Sequence, residues 1–179
     1  VTKYNVQDVP DVLTVRVDTD FAGCQVTRKS TSGGVAMLGD RCLKTWSSTQ
    51  EVVALSSGEA ELYGIVKGTT YALGLRSLLE DLGIHVKLVV NTDASAAIGI
   101  TKRRGVGKVR HVEVKELRSQ DEVQSGEVDI RKVRSQDNLA DAFTKYVNQE
   151  KMSKAMYKMG FEARGSRHAL NPLLEVQQR

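Results

Sequence analysis

Four carboxylates stand at separate points of the chain in settings that suit metal chemistry: Asp18, Glu61, Asp93 and Asp141. Asp18 closes the alternating run VLTVRVD, and Asp93 closes the apolar run KLVVNTD. Glu61 lies near the start of the one long helical stretch, and Asp141 opens the last strongly apolar one, DNLADAFTKYV. Two strand ends and two helix starts can converge on one edge of a sheet. Clusters made only of oxygen ligands suit hard cations such as Mg²⁺, which takes a few carboxylates and keeps positions open for substrate phosphates. The chemistry this suggests is metal-dependent phosphodiester hydrolysis. Each acid also has an ordinary explanation. An Asp at a strand end is commonly a turn residue, and a Glu in a first helical turn complements the helix dipole.

Periodicity locates the elements that must carry these acids. Leu13, Val15 and Val17 alternate toward one face, which predicts a strand over residues 12–18. FAGCQVTRKSTSGG then reads as a polar loop, followed by two short strands, GVAMLG and RCLKTWSS, around a tight turn at Gly39-Asp40. Ser56 with Glu59 three residues on makes a capping box. Leu62, Ile65, Val66, Leu73, Leu78, Leu79 and Leu82 recur at helical spacing behind it, and Gly83 terminates the helix. A strand over 86–92, a short helix over 94–100, a helix in HVEVKELRSQDEVQ and a strand in EVDIRKV follow. Helices over 138–147 and 149–159 close the ordered part. The pattern predicts an α/β domain with a mixed sheet, its first three strands antiparallel and the fourth beside the first.

At 179 residues, 40% hydrophobic and 27% charged, the chain has the size and composition of one folded domain. We place that domain at residues 12–160, with 1–11 as a linker or the end of a preceding domain and 161–179 as a C-terminal tail. The start at Val1 reads as a piece of a longer polypeptide. No apolar run approaches the roughly 20 residues of a membrane-spanning helix. Cys24 and Cys42 are not spaced as metal ligands, and free thiols are expected. The net charge is +4, and its distribution is informative. Lys102, Arg103, Arg104, Lys108 and Arg110 form a run without an acid, Arg28 and Lys29 a second cluster, and Arg131, Lys132 and Arg134 a third. Such patches are often just solvated surface; beside a metal cluster they suit contacts to a phosphate backbone.

Several words of the sequence go further. VDTDFAG with RKSTSGG, KTWSSTQEVVALSSGEAELYG, NTDASAAIGI and VRSQDNLADAFTK occur in this order over residues 13–160. In these the chain resembles the ribonuclease H domain of copia-type LTR retrotransposon Pol polyproteins. The resemblance implies a ribonuclease H-like fold with a mixed five-stranded sheet and flanking helices. It implies an endonuclease that hydrolyses the RNA strand of RNA–DNA hybrids with two Mg²⁺ ions, Mn²⁺ being a substitute. The family's acids fall on Asp18, Glu61, Asp93 and Asp141 as catalytic metal ligands, with Asp20 as the alternative to Asp18 and Glu59 assigned to capping. Arg28, Lys29, Lys102, Arg103, Arg104, Lys108 and Arg110 are the expected substrate contacts. An upstream reverse transcriptase domain is the expected partner. The setting would be intracellular, in a cytoplasmic virus-like particle or the nucleus. One departure stands out: the loop RKVRSQDN lacks the His that many ribonucleases H carry before the final helix. A different class of function, a catalytically silent or co-opted nucleic-acid-binding module, is compatible with the same words.

Overall fold

The computed structural model describes Thr2, residues 6–105 and residues 114–162. Among these residues, strands β1 (Val12–Asp20), β2 (Thr31–Leu38), β3 (Arg41–Thr49), β4 (Lys87–Thr92) and β5 (Val128–Lys132) form one sheet in the order β3-β2-β1-β4-β5. β1 pairs antiparallel with β2 and parallel with β4, and β5 extends the parallel half. This is the mixed five-stranded sheet, with its first three strands antiparallel and the fourth beside the first, that the sequence predicts. The helices are α1 (Ser57–Asp81), α2 (Ser95–Thr101), α3 (Val114–Gln124) and α4 (Gln149–Lys158).

The alternation in β1 decides which face meets α1. Leu13, Val15 and Val17 are fully buried and pack with Ile65, Ala72 and Leu79 of α1 and with Val90 and Ile130. On the other face of β2, Val35 and Met37 join Cys42, Leu139, Ala155 and Met159 in a second core. Both faces of β2 are therefore covered, and it is buried from Ser32 to Leu38.

α1 starts where the capping box predicts. Glu59 N–H donates to Ser56 Oγ at 3.2 Å, and Glu59 Oε2 reaches back to accept from Leu55 N–H at 2.9 Å. Glu59 also accepts from the Tyr63 hydroxyl at 2.7 Å, so its carboxylate is committed to the helix start. The helix lies close on β1 because Gly64 and Gly68 face it. A Cβ at Gly64 would sit 2.6 Å from Thr19 Oγ1, and one at Gly68 2.4 Å from Val17 Cγ1. Buried Gln50 ties the helix to β2, donating to Ser32 Oγ and to the Ala60 carbonyl, each at 2.8 Å.

Two expectations need correction. The loop expected to run through Gly34 ends earlier, because β2 begins at Thr31 and pairs Gly33 with Asp18 and Gly34 with Val17. Two glycines there suggest a turn, but they serve close packing. A Cβ at Gly33 would lie 2.7 Å from Phe143 Cβ, and one at Gly34 2.1 Å from the Trp46 ring. The helix expected over 138–147 is instead one short 3₁₀ turn, Leu139–Phe143, which follows another at Ser135–Asp137. The Asn138 side chain caps the second turn at Ala140 N–H and pins it to the Val17 carbonyl, so contact with β1 sets the path of this segment.

Residues 1–11, expected to be a linker, make contacts with the described domain. Thr2 bridges to Phe161, and the Gln7 side chain donates to the Leu38 carbonyl and accepts from Asp40 N–H at the β2–β3 turn. Residues 163–179, most of the expected tail, lie outside the described residues, as do Lys108 and Arg110. Among the described residues no helix is long and apolar enough to cross a membrane.

Candidate metal centre

The register of the two central parallel strands brings the first two acids level. Arg16 is partnered with Asn91. Two residues further along the chain from these partners stand Asp18 and Asp93, at the end where β1 and β4 part. β4 stops there because Thr92 Oγ1 accepts from Ala94 N–H at 3.2 Å, turning the chain into α2. Asp141 arrives from the opposite end of the sequence on the 3₁₀ turn that Asn138 holds against β1. Carboxylate oxygens of Asp18, Asp93 and Asp141 all lie within 4.8 Å of one another.

The three are not equally exposed. The Asp18 side chain is 1% exposed and that of Asp141 29%. Asp18 accepts from the Thr144 hydroxyl on one oxygen and from Lys145 Nζ, 3.1 Å away, on the other. The same ammonium is 3.3 Å from Asp141 Oδ1. Ser135 Oγ donates to Asp93 Oδ2 at 2.5 Å and orients that carboxylate.

Glu61 stands beside this set, not within it. Its Oε2 is buried and, among the described residues, has no hydrogen-bond partner. Burial, then the charges of Asp18 and Asp93, push its carboxyl up to about 8, against smaller opposing effects of Lys145 and the Thr19 N–H. Burial and Asp18 likewise raise Asp141, although Lys145 opposes them. Burial works against the charge on Lys145, but Asp18 and Asp141 outweigh it and raise the ammonium above the ordinary lysine value. A site that crowds acids until one of them keeps its proton near neutrality is short of positive charge. Its donors are all hard oxygens, and one buried carboxylate oxygen is unclaimed. These residues fit a divalent cation of the Mg²⁺ or Mn²⁺ kind.

Asp20, the alternative first ligand, lies outside the three-acid set. Its carboxylate folds over Gly23, where an added Cβ would meet Oδ2 at 1.7 Å, and so closes the loop after β1.

Comparison with solved structures places this architecture. The chain matches LC11-RNase H1, an enzyme isolated from compost by a metagenomic approach, with a TM-score of 0.52 at 15% identity, covering 82% of this chain and 99% of that one. The chain has the ribonuclease H fold. A structure of LC11-RNase H1 in complex with an RNA/DNA hybrid matches less closely, at a TM-score of 0.46 and 13% identity over 80% of this chain and 99% of that one. By sequence, the chain is 29% identical over 142 residues to the retrovirus-related Pol polyprotein from transposon TNT 1-94 of Nicotiana tabacum, covering 78% of the chain. It is 27% identical over 146 residues to the Pol polyprotein from transposon RE2 of Arabidopsis thaliana, covering 80% of the chain. The chain spans only 11% and 10% of these two polyproteins. No family model matches it. The relatives are those the sequence words point to, and the fold is the one they imply.

Around this ribonuclease H fold the expected substrate contacts that are described take two positions. Arg28 is exposed, and Lys29 half-buried, in the loop between β1 and β2; this loop carries two non-glycine residues at positive φ, Ala22 and Arg28. Lys102, Arg103 and Arg104 follow α2, whose 7 residues span about 10 Å at roughly 1.5 Å per residue. That turn is clamped to α3. Gln120 binds the Ile100 and Gly105 carbonyls and Gly105 N–H, and Arg104 donates to Gln124 at 2.7 Å. Lys132, from the third basic cluster, donates to Ser95 Oγ at 2.6 Å, beside the start of α2.

Some site residues escape the sequence reading. Asn138, Thr144 and Lys145 all lie in the word DNLADAFTK, yet only its Asp141 stood out as chemistry. Ser135 carried no signal. Lys151, Lys154 and Lys158 of α4 line a cleft of about 150 Å³ that has Asp141 in its wall.

Proposed function

We propose that this chain is the ribonuclease H domain of a transposon Pol polyprotein and that it hydrolyses the RNA strand of RNA–DNA hybrids with the help of divalent cations. The observation that carries this reading is the convergence of Asp18, Asp93 and Asp141 within 4.8 Å at one end of the central strands. Asp18, Asp93 and Asp141 would hold the cations, two Mg²⁺ or Mn²⁺ as in the resemblance drawn from the sequence. Glu61 would join them as a fourth ligand. Bound there, such ions supply a water of lowered pKa and neutralise charge on the phosphate and the leaving oxygen.

The protein's own residues prepare that chemistry. Ser135 and Thr144 fix the rotamers of Asp93 and Asp18, so the oxygens need little rearrangement. Glu61 keeps a proton up to about pH 8 and must release it to act as a ligand. The basic residues at Arg28, Lys29 and Lys102–Arg104, with Lys108 and Arg110 beyond them, would follow the phosphate backbone. They give affinity without sequence choice. The lysines of α4 offer a further cationic rim next to Asp141. In a polyprotein, an upstream reverse transcriptase would deliver the hybrid, in a virus-like particle or the nucleus.

The test is cleavage of an end-labelled RNA–DNA hybrid in Mg²⁺, run beside duplex DNA and duplex RNA. The reading expects cleavage of the RNA strand of the hybrid alone, abolished by EDTA. Binding without cleavage would instead support the catalytically silent module. Cleavage of duplex DNA would indicate a different nuclease.

A further inference from the structure

Lys145 stands where its charge meets the metal reading directly. Its ammonium lies 3.1 Å from Asp18 Oδ1 and 3.3 Å from Asp141 Oδ1, and both acids belong to the three-acid set. We propose that Lys145 is a built-in competitor for the metal centre, a tethered monovalent cation that a divalent ion must displace, so that this lysine sets the metal affinity of the site. The inference rests on the metal-centre reading above.

Three observations support it. First, the ammonium occupies carboxylate oxygens on two of the three acids that would hold a metal. A compact –NH₃⁺ and a divalent ion both seek carboxylate lone pairs, and their like charges exclude each other at this range. Second, the partners differ in freedom. The Lys145 side chain is 45% exposed, whereas that of Asp18 is 1% exposed and held through its other oxygen by Thr144. On displacement the carboxylate stays and the lysine swings into water on its four-carbon stem. Third, the anchor is local. Thr144 and Lys145 follow the turn that carries Asp141, so one short segment supplies a ligand, a positioning hydroxyl and the competing cation. A buried carboxylate without a counter-charge is costly. Lys145 meets that cost wherever metal is scarce, and the consequence is a higher metal concentration for half-saturation.

An ordinary structural ion pair makes a different prediction. It would stabilise the fold in every condition, and its loss would leave metal affinity unchanged or weaken it by loosening the acids.

The experiment is Mn²⁺ titration by calorimetry at fixed pH and ionic strength, without nucleic acid. It compares wild type with Lys145→Met, Lys145→Gln, Lys145→Arg and Asp93→Asn, with melting temperatures in EDTA and in saturating Mn²⁺. The two neutral variants should bind Mn²⁺ about tenfold more tightly than wild type. They should melt lower in EDTA and gain more from Mn²⁺. Lys145→Arg should stay near wild type. Folding is checked by circular dichroism, and either neutral variant that folds suffices. If wild type binds Mn²⁺ and the folded neutral variants bind it equally or more weakly, the competition is wrong while the metal centre stands. If wild type and the neutral variants bind no better than Asp93→Asn, the metal reading fails and takes this inference with it. Loss of folding by both neutral variants, with Lys145→Arg intact, would also overturn it, because Lys145 would then be a required structural cation and not a displaceable one.

Discussion

The Asn138 side-chain amide donates to the Val17 carbonyl at 2.9 Å, across 121 positions of sequence. This bond docks the turn Leu139–Phe143 onto the central strand one residue before Asp18, and so delivers Asp141, Thr144 and Lys145 to that acid. Asn138 is 4% exposed, and its Oδ1 caps the turn at Ala140 N–H. Asn138→Leu keeps the approximate volume but leaves a buried carbonyl and a buried N–H without partners. A destabilisation of about 1–3 kcal/mol is expected, with hybrid cleavage falling as well because Asp141, Thr144 and Lys145 lose their support. Chemical denaturation and the cleavage assay check both. Unchanged cleavage would mean that the turn holds its place without this bond.

Gly33 makes the same docking possible from the sheet side. A methyl group there meets Phe143 Cβ and Thr144 Cγ2 at 2.7 Å, and one of these must move. Gly33→Ala should cost about 1–3 kcal/mol and slow cleavage by displacing Thr144 from Asp18. Gly74 of α1 has nothing within 4 Å of an added Cβ. Gly74→Ala should therefore stabilise by about 0.4–1 kcal/mol without touching activity. Denaturant midpoints for the pair test whether the space at Gly33 is reserved for the turn.

Glu61 predicts a pH dependence. Its carboxyl is raised to about 8 in the folded chain, first by burial and then by Asp18 and Asp93; unfolded, it titrates near about 4.3. Between these values the native state holds a proton that the unfolded state has lost, so this group's contribution to stability falls as pH rises. Melting in EDTA from pH 4 to 9 should show wild type losing stability relative to Glu61→Gln across that window, with the difference levelling off above pH 8. Parallel curves would mean that neither burial nor the neighbouring acids raise Glu61.

The basic turn after α2 is tested through salt. Lys102, Arg103 and Arg104 neutralised together should weaken hybrid binding and reduce the slope of log affinity against log salt by roughly 2 to 3, if each contacts one phosphate. Equal slopes would make the turn ordinary solvated surface.

Much of this arrangement is legible in the sequence, for identifiable reasons. Leu13, Val15 and Val17 alternate cleanly, so β1 and its terminal Asp18 can be read directly, and the Ser56–Glu59 box marks the start of α1. The acids stand out because strand ends and helix starts are few. What escapes is whatever depends on a distant partner. Gly33 and Gly34 look like a turn because the segments they accommodate, Phe143–Thr144 and Trp46, are not their neighbours in sequence. Asn138–Val147 looks helical because its apolar spacing is helical; the Asn138 bond to β1 overrides that propensity. Lys145 stands four residues after Asp141, and only the fold reveals that Asp18 shares it. Glu61 can be placed near the acids by its helix, but not beside them at the distance α1 allows.

The central claim is that Asp18, Asp93 and Asp141 form one metal centre for phosphodiester hydrolysis. Its most direct test is the initial rate of Mg²⁺-dependent cleavage of a labelled RNA–DNA hybrid by Asp93→Asn, beside wild type and Asp20→Asn. Asparagine keeps the size and can still accept from Ser135, so folding should survive, as melting curves will verify. The charge is lost, and removing one such electrostatic contact typically slows the reaction about 10²–10³-fold. A loss of that order is expected for Asp93→Asn and a mild effect for Asp20→Asn, whose carboxylate closes the loop over Gly23. Near-wild-type turnover by a folded Asp93→Asn protein would contradict the central claim.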